Sequence, residues 1–237
     1  MKIAAVIPSR YQSSRFPGKP LAPIAGMTMI ERVYRQVVKA GCFCDILVAT
    51  DDQRIFNEVN RFGGNAEITD ININSGSDRV WSVVKNKDYD AVVNIQGDEP
   101  LVPEKLILKI YRALANNPIV SAARRNDSYE DFCSKNVVKV VCNLEWHALY
   151  FSRAPIPFAD KNSFNGFFQH IGIYGYLKEK LEMFVRSGIS ELERRENLEQ
   201  LRFLSLGQQI RIVQTDSASY GVDIPSDIEK IEKLLRS

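Results

Sequence analysis

Short apolar runs rich in β-branched residues alternate along this chain with stretches in which apolar residues recur every three or four positions. The first pattern predicts buried strands, and the second predicts helices with one apolar face. Strands are expected at 3–7, 46–49 and 91–95, and helices at 27–40, 52–61 and 103–115. Because strands and helices alternate, the sequence predicts an α/β fold with a mainly parallel, doubly wound sheet and helices on both faces.

The middle of the chain departs from this alternation. Strands are expected at 137–141, 149–151 and 171–176, and the turn-rich stretch RAPIPFADKNSFNG separates the second from the third. This pattern predicts an inserted β-hairpin arm. A helix at 192–205, a strand at 210–213 and a last helix after Pro225 are expected to follow. No low-complexity segment or long linker interrupts the chain, so residues 1–237 are predicted to form a single domain.

The composition fits a folded protein and argues against some functions. The chain has 237 residues, of which 45% are apolar, enough to fill a substantial core. Lys and Arg number 31 against 29 Asp and Glu, and a net charge of +2 argues against a nucleic-acid-binding protein. Four cysteines and two histidines show no zinc-ligand spacing or disulfide framework, which favours the cytoplasm. With no apolar run of about 20 residues and no signal peptide, we expect neither membrane association nor export.

Polar residues follow the predicted strands, at the edge where a doubly wound sheet binds ligands. The stretch IPSRYQSSRFPGKPL, residues 7–21, places Arg10, Ser13 and Lys19 in a basic, hydroxyl-rich loop after the first strand. Cations and backbone N–H groups in a tight turn suit phosphate oxygens, and Gly18 can supply the turn. The loop matches neither a Walker motif nor G-x-G-x-x-G. A solvated basic surface is the alternative interpretation.

Two aspartates are candidate metal ligands. Asp98 follows an apolar strand in NIQGDEP, and Asp223 lies in GVDIPSD. Magnesium prefers one or two carboxylates together with substrate oxygens, so a strand-end aspartate beside a basic loop suggests a metal–nucleotide site. The alternative for Asp98 is a helix cap before Pro103, and the alternative for Asp223 is a turn residue.

Eight sequence blocks occur in an order typical of one enzyme family. They are IPSRYQSSRFPGKPL, VATDD, SGSDR, NIQGDEP, LYFSRAPIP, HIGIYGY, LEQLR and GVDIPSD. On these blocks, which span nearly the full length, the chain resembles 3-deoxy-manno-octulosonate (Kdo) cytidylyltransferase, the CMP-Kdo synthetase of lipopolysaccharide-making bacteria. The resemblance implies a Rossmann-like nucleotidyltransferase fold. It also implies Mg²⁺-dependent transfer of CMP from CTP to the anomeric hydroxyl of Kdo, with release of pyrophosphate and no covalent enzyme intermediate.

The resemblance assigns roles to individual residues. The implied phosphate ligands are Arg10, Ser13 and Lys19; the implied base and ribose ligands are Ser75, Arg79 and Gln96; the implied Mg²⁺ ligands are Asp98 and Asp223; and the implied sugar ligands are Arg153, His170, Glu199 and Gln200. Lys19 would stabilise the α-phosphate as it is attacked, with Arg10 and the two aspartates completing the catalytic group. Arg153 suits a substrate carboxylate, because a guanidinium can donate two parallel hydrogen bonds.

The family resemblance further implies a homodimer, with the region at about 126–176 serving sugar binding and dimer contacts. Apolar side chains in this region, more than a solvated loop would expose, favour a dimer surface and include Phe151, Phe158, Phe167 and Phe168. The alternative is a hairpin folded back on its own core. Tyrosines that alternate with apolar residues are interpreted as core, namely Tyr150, Tyr174 and Tyr176.

One block departs from the family pattern. The family reads His-x-Ser-Gly-Thr-Asp-Arg, whereas this chain has Ile73 in place of the histidine and Ser77 in place of the threonine. Ile73 can neither donate nor accept a hydrogen bond. A related branch that activates the 8-amino analogue of Kdo also lacks this histidine, so that sugar is an alternative substrate, and drift in a tolerant loop is the plainer explanation.

Three competing functions fit parts of the sequence: another sugar nucleotidyltransferase, a metal-dependent glycosyltransferase and an RNA-binding module.

Overall fold

The computed structural model describes residues 1–12, 16–73, 75–217 and 220–236. Its strands are β1 (Ile3–Ser9), β2 (Pro23–Ile24), β3 (Met27–Thr28), β4 (Asp45–Thr50), β5 (Asn65–Ile68), β6 (Ala91–Asn94), β7 (Ile119–Asn126), β8 (Lys139–Cys142), β9 (Ala148–Ser152), β10 (Phe167–Leu177) and β11 (Arg211–Gln214). Its helices are α1 (Met29–Ala40), α2 (Gln53–Arg61), α3 (Gly76–Val84), α4 (Glu104–Ala113), α5 (Tyr129–Cys133), α6 (Lys178–Arg186), α7 (Glu191–Glu196), α8 (Leu201–Ser205) and α9 (Asp227–Arg236).

One large sheet organises the fold. Its main path runs β11-β7-β10-β6-β1-β4-β5, with β8 and β9 joined at the side of β10. β1 pairs in parallel with β4 and β6, β4 with β5, and β7 with β11. β10 runs antiparallel between β6 and β7. The predicted mainly parallel α/β sheet is confirmed, with one antiparallel strand in its middle.

Alternate positions along each strand face two helical layers, as the period of a strand requires. In β1, Ile3, Ala5 and Ile7 join the core under α1 and α4, whereas Val6 joins the core under α3 and α6. This arrangement gives the doubly wound architecture and exposes the carboxyl ends of β1, β4 and β6 along one edge.

Helix α1 shows why a predicted element forms where it does. Its buried stripe is Ile30, Val33 and Val37, at the spacing of one helix face. Thr28 caps its first turn by accepting a hydrogen bond from the backbone N–H of Glu31. Gly41 ends it in the left-handed region, at φ 62°. Together these signals place both ends of the helix close to where the sequence predicts them.

The predicted hairpin arm is part of the main sheet. The β8–β9 hairpin pairs with the first half of β10, where Phe168 lies opposite Val140. Phe151 and Phe167 are buried, and Phe168 packs edge-on against Trp146. Of the four phenylalanines expected at a dimer surface, Phe158 is the one that is exposed, at 91%. A hairpin folded back on its own core therefore accounts for the other three rings.

The predicted helix at 192–205 is wrong in one respect, because it is broken in two. α7 ends before Asn197, which adopts a left-handed φ of 51°, and α8 begins at Leu201. Arg202 turns back to pair with Glu193, with Nη2 2.6 Å from Oε1 and Nε 2.8 Å from Oε2. This buried pair fixes the turn between the two short helices. Among the described residues, no helix has the length and apolar character needed to cross a membrane.

Candidate active site

A cavity of about 770 Å³ opens where the carboxyl ends of β1 and β6 meet the middle of β10. It brings together most of the site residues that the sequence predicts, although they are spread over much of the chain. The predicted residues that line it are Arg10, Lys19, Arg79, Gln96, Asp98, Arg153, His170, Glu199 and Gln200.

Two of the described residues that the sequence predicts do not line this cavity. Ser75 caps α3: its hydroxyl accepts from the N–H of Asp78 and donates to the carboxylate of the same residue. Asp223 is exposed, and its backbone N–H donates to Asp227. Its neighbour Val222 contacts both Lys19 and Asp98 through the backbone, so Asp223 is one residue away from that pair. Ser13 lies outside the described residues.

The opening loop holds Lys19 against Asp98. The N–H of Gly18 donates to the carbonyl of Tyr11, 2.8 Å away, and Gly18 has the left-handed φ of 72° that favours glycine. This turn directs Lys19 Nζ to Asp98 Oδ2 at 2.6 Å and to the carbonyl of Val222 at 2.9 Å. A cation and a strand-end carboxylate thus share one wall of the cavity.

Arg79 is the most deeply buried cation of the described cavity lining, with 1% exposure. Its Nη2 lies 3.0 Å from Asp51 and 2.9 Å from the carbonyl of Ile73, and its Nη1 bonds to the hydroxyl of Thr69. Its Nε has no partner among the described residues. Ile73, the residue that departs from the family pattern, therefore contacts Arg79 through its backbone carbonyl. Its side chain is not part of the cavity lining.

Neutral backbone oxygens hold the guanidinium of Arg153. Its Nε donates to the carbonyl of Glu196 at 2.8 Å, Nη1 to that of Lys135 at 3.0 Å and Nη2 to that of Asn197 at 3.3 Å. No carboxylate of the described residues lies within ion-pair distance of it. Of the five N–H donors that an arginine carries, the described residues use three, so two remain for an anionic ligand.

Lys139 fixes the backbone that carries this arginine. Its side chain is fully buried, and Nζ donates to the carbonyls of Arg153 at 2.6 Å, Val137 at 2.7 Å and Ser134 at 2.8 Å. Burial lowers the pKa of Lys139. Three convergent carbonyls nevertheless favour its ammonium form, and they tie the start of the turn-rich stretch to β8.

The floor of the cavity is one face of β10. His170, Gly172, Tyr174 and Tyr176 alternate with core residues along this strand and line the cavity. The two tyrosines are 9% and 2% exposed, so the interpretation as core is correct for their burial, and both also line the cavity. Burial lowers the pKa of His170 to about 3. The imidazole is therefore neutral at ordinary pH.

The turn between α7 and α8 supplies the remaining polar groups. Glu199 Oε2 accepts a hydrogen bond from Ser77 Oγ at 2.8 Å, and burial raises the pKa of the Glu199 carboxyl. Gln200 is 7% exposed, and its Nε2 has no partner in the described part of the chain. The Arg202–Glu193 pair fixes this turn, and the side chains of Glu199 and Gln200 on the turn line the cavity.

Comparisons with known proteins agree on one family. A family model described as cytidylyltransferase matches residues 4–212. A 3-deoxy-manno-octulosonate cytidylyltransferase from Desulfosudis oleivorans is 47% identical over 244 residues, and one from Syntrophotalea carbinolica is 44% identical over 248 residues. Both alignments cover 100% of this chain, with 98% and 99% of the respective relatives. The chain belongs to the 3-deoxy-manno-octulosonate cytidylyltransferase family.

Solved structures give the same result. A structure described as CMP:2-keto-3-deoxy-manno-octonic acid synthetase complexed with CTP superposes with a TM-score of 0.94 at 35% identity, and the match covers 100% of this chain and 99% of that one. A 4-diphosphocytidyl-2C-methyl-D-erythritol synthase from Anaerococcus prevotii has a TM-score of 0.69 at 15% identity, with the same coverage, and shares the fold alone.

The cavity of this cytidylyltransferase also contains polar residues that the sequence prediction missed. Ser9 Oγ and Asn94 Oδ1 are buried and have no partner among the described residues, like Arg79 Nε and Gln200 Nε2. Buried polar atoms are nearly always paired in proteins, so a group of unpaired atoms around one cavity indicates hydrogen bonds reserved for a ligand. A signal did exist for Asn94, because it is a polar residue inside the apolar strand AVVNI.

Proposed function

We propose that this protein joins CMP to Kdo. The anomeric oxygen of the sugar attacks the α-phosphorus of CTP, the bond to the β-phosphate breaks, pyrophosphate leaves with the electron pair, and the hydroxyl proton is released. The proposal is supported by one cavity that contains both kinds of receptor. Lys19 and Asp98 lie together in its lining, and Arg153, also in the lining, has two N–H donors that no described residue uses. A polyphosphate and a sugar carboxylate each find a suitable receptor there.

The residues of the cavity would act by alignment and charge stabilisation, since phosphoryl transfer leaves little covalent chemistry to the protein. Arg10 and Lys19 would bind phosphate oxygens, with Ser13 assigned to the same role by the family pattern. Lys19 is expected to stabilise charge that develops at the α-phosphate. Gln96 and Arg79 would contact the nucleoside, and Ser75 would contribute by holding the start of α3.

We propose Mg²⁺ as the cofactor, held by Asp98 and Asp223 together with phosphate oxygens. No group of three or more potential metal-ligating side chains occurs among the described residues. A magnesium ion beside a polyphosphate needs only one or two carboxylates, and Asp98 with the nearby Asp223 fits that requirement. The metal would supply charge neutralisation of the polyphosphate. Lys19 would move from Asp98 to the nucleotide when the carboxylate takes up its ligand.

The sugar would bind against β10 and the α7–α8 turn. Arg153 would take the carboxylate, and His170, Glu199 and Gln200 would take hydroxyl groups. The 8-amino analogue of Kdo is the second candidate substrate, because the desolvated carboxylate of Glu199 is suited to an ammonium group. Ile73 would influence that choice indirectly, through the carbonyl that holds Arg79. The proposed location is the cytoplasm.

Pyrophosphate release tests this function. Purified protein is supplied with each of the four ribonucleoside triphosphates, with Kdo or its 8-amino analogue, and with Mg²⁺ or a chelator. We expect release with CTP, a keto-acid sugar and Mg²⁺ together, and none when any one is omitted. Release from CTP without a sugar would indicate hydrolysis, and turnover in chelator would remove the metal from the proposal. No pyrophosphate release from CTP, together with consumption of a CMP-sugar supplied in a separate tube, would indicate a glycosyltransferase.

A further inference from the structure

A buried serine lies behind the floor of the cavity. Ser121 belongs to β7, is 0% exposed and does not line the cavity itself. Its Oγ is 3.0 Å from Nε2 of His170, 3.0 Å from the carbonyl oxygen of Ile173 and 3.4 Å from that of Ile171. Ser121 therefore connects the backbone of β10 to the imidazole that lines the cavity.

The hydrogen bonds of Ser121 determine which ring nitrogen of His170 carries the proton. A serine hydroxyl has one proton to donate and can accept further bonds. A backbone carbonyl can only accept, so Ser121 donates its proton to Ile173. Its oxygen is then free to accept from His170, which requires a proton on Nε2. If the proton were on Nδ1 instead, the lone pair of Nε2 would face the lone pairs of Ser121 Oγ at 3.0 Å. Ser121 could avoid this repulsion only by donating to Nε2, which would leave the buried carbonyl of Ile173 without that donor.

Tyr174 does not alter this assignment. Its hydroxyl is also 3.0 Å from Nε2 of His170. A phenol can either donate or accept, so this contact is compatible with both tautomers. Ser121 also contacts the hydroxyl of Tyr174. Its 3.0 Å contact with the carbonyl of Ile173 can form only if Ser121 donates, so Ser121 is the partner that distinguishes the tautomers.

We propose that Ser121 is a positioning residue that holds His170 as the Nε2–H tautomer, so that Nδ1 presents a hydrogen-bond acceptor to a hydroxyl of the sugar. This inference rests on the proposed function. No described residue forms a hydrogen bond with Nδ1. A buried atom without a partner would belong to the same group as Arg79 Nε and Gln200 Nε2, and Nδ1 does not, so part of its surface is accessible. An acceptor at this place repels a carboxylate and attracts a hydroxyl. The sugar therefore binds with its carboxylate at Arg153 and a hydroxyl at His170.

The charge state of the ring agrees with this geometry. Desolvation lowers the pKa of His170 to about 3, so a second proton on Nδ1 is disfavoured at neutral pH. The ring is held on its other sides by Phe151, which packs edge-on at 5.0 Å between ring centroids, and by the tilted ring of Tyr174. The imidazole thus has one fixed orientation and one fixed tautomer.

Nitrogen NMR tests the tautomer directly, because the chain has only two histidines. In ¹⁵N-labelled protein, the long-range correlations from the ring protons to each nitrogen identify the protonated one, and His147→Gln removes the second set of signals. We expect His170 to carry its proton on Nε2 in the ligand-free protein. A proton on Nδ1 would overturn the inference even if the enzyme converts CTP and the sugar.

Three variants test the role of Ser121. In Ser121→Ala we expect Tyr174 to donate to Nε2, the Nδ1–H tautomer to become populated, and the KM for the sugar to rise roughly tenfold while the KM for CTP stays unchanged. Tyr174→Phe should keep the wild-type tautomer. Ser205→Ala, which loses a hydroxyl that also donates to a backbone carbonyl, should change neither tautomer nor KM. If Ser121→Ala keeps the Nε2–H tautomer or raises both KM values equally, the positioning role is wrong.

Discussion

At the scale of single residues, the contact between Lys19 and Asp98 is the centre of the proposed chemistry. The ammonium and the carboxylate are 2.6 Å apart, and the carboxylate side chain is 35% exposed at the cavity. In the absence of ligand each neutralises the other. We propose that, when CTP binds, the ammonium of Lys19 takes phosphate oxygens and the carboxylate of Asp98 takes the metal.

Asp98→Asn should leave the fold intact and reduce kcat/KM for CTP at least about a hundredfold, because one charge-stabilising contact in an active site is commonly worth that much. The amide has the same shape, and Lys19 keeps its bond to the carbonyl of Val222. Asp88→Asn is the control, since Asp88 forms an exposed ion pair with Lys2. Steady-state kinetics and circular dichroism check both variants. Near-normal turnover in Asp98→Asn would remove this residue from the metal site.

The titration of His170 predicts a pH dependence of stability. Its pKa is lowered from 6.5 to about 3 in the folded protein. Between these values the unfolded chain binds a proton at this residue that the folded protein does not, so the stabilisation present above about pH 6.5 is lost as the pH falls toward 3. We expect His170→Gln to lose less stability than wild type on acidification, by up to about 1.4 kcal/mol per pH unit. Urea unfolding between about pH 7 and pH 4 measures this, and parallel curves would contradict it.

The sequence predicts a residue's place in the cavity well where that place depends only on its position after a strand. Arg10, Asp98 and Gln96 are of this kind, because the carboxyl ends of parallel strands meet at one edge. Asn94 and Tyr174 are not. Their roles depend on which face of β6 or β10 meets the cavity, and β10 has an irregular register between Ile171 and Gly175 that no periodicity reveals.

At the scale of elements, the two short helices α7 and α8 depend on one buried ion pair. Arg202 and Glu193 have side-chain exposures of 6% and 9%, and Arg202 also donates to the carbonyl of Phe184 at 3.1 Å. The two residues of the pair lie on either side of the turn that carries Glu199 and Gln200. Loss of one partner would leave the other as an unpaired buried charge.

Arg202→Met should therefore lower the free energy of unfolding by about 3–5 kcal/mol. The double variant Glu193→Leu/Arg202→Met should be more stable than the single one, since it removes the orphaned carboxylate. Arg195→Met is the matched control, because its ion pair with Glu191 is exposed and is expected to contribute less than about 1 kcal/mol. Urea denaturation measures all three. A loss below about 1 kcal/mol in Arg202→Met would show that the turn does not depend on the pair.

Elements are predictable where local sequence and tertiary context agree. β1, β4 and β6 are continuous apolar runs, and all three occur as predicted. The sequence pattern misses β7 because its sequence IVSAARRN is rich in alanine and arginine, which do not favour strands. It forms a strand because it pairs with β10 and β11 along most of its length. The pattern also misses the break after α7, because charged residues continue through it at helical spacing.

At the scale of the whole molecule, the exposed apolar residues around the β8–β9 hairpin support the proposed homodimer. Leu144, Leu149 and Phe158 are 101%, 61% and 91% exposed. Exposed apolar side chains commonly mark an interface, and all three belong to the region of about 126–176 in which dimer contacts are expected. The buried phenylalanines of the hairpin stabilise its own core, whereas these three side chains are exposed.

Light scattering should give a mass of twice 26.9 kDa at micromolar concentration. Leu149→Lys should shift the protein toward the monomer, because it places a charge among the apolar side chains of the proposed contact. Ile189→Lys is the control, since Ile189 is also exposed, at 55%, but lies outside the hairpin. A wild-type mass of 26.9 kDa would contradict the dimer.

The proposed reaction is tested by ³¹P NMR of the complete mixture, with CTP, Kdo, Mg²⁺ and purified protein in one tube. We expect the three phosphate signals of CTP to decline together while pyrophosphate and a single CMP-sugar phosphodiester appear in equal amounts. We also expect Asp98→Asn to slow both products by the same factor. Pyrophosphate accompanied by free CMP, or a product that forms at the wild-type rate in Asp98→Asn, would contradict the proposed transfer to the anomeric hydroxyl at this site.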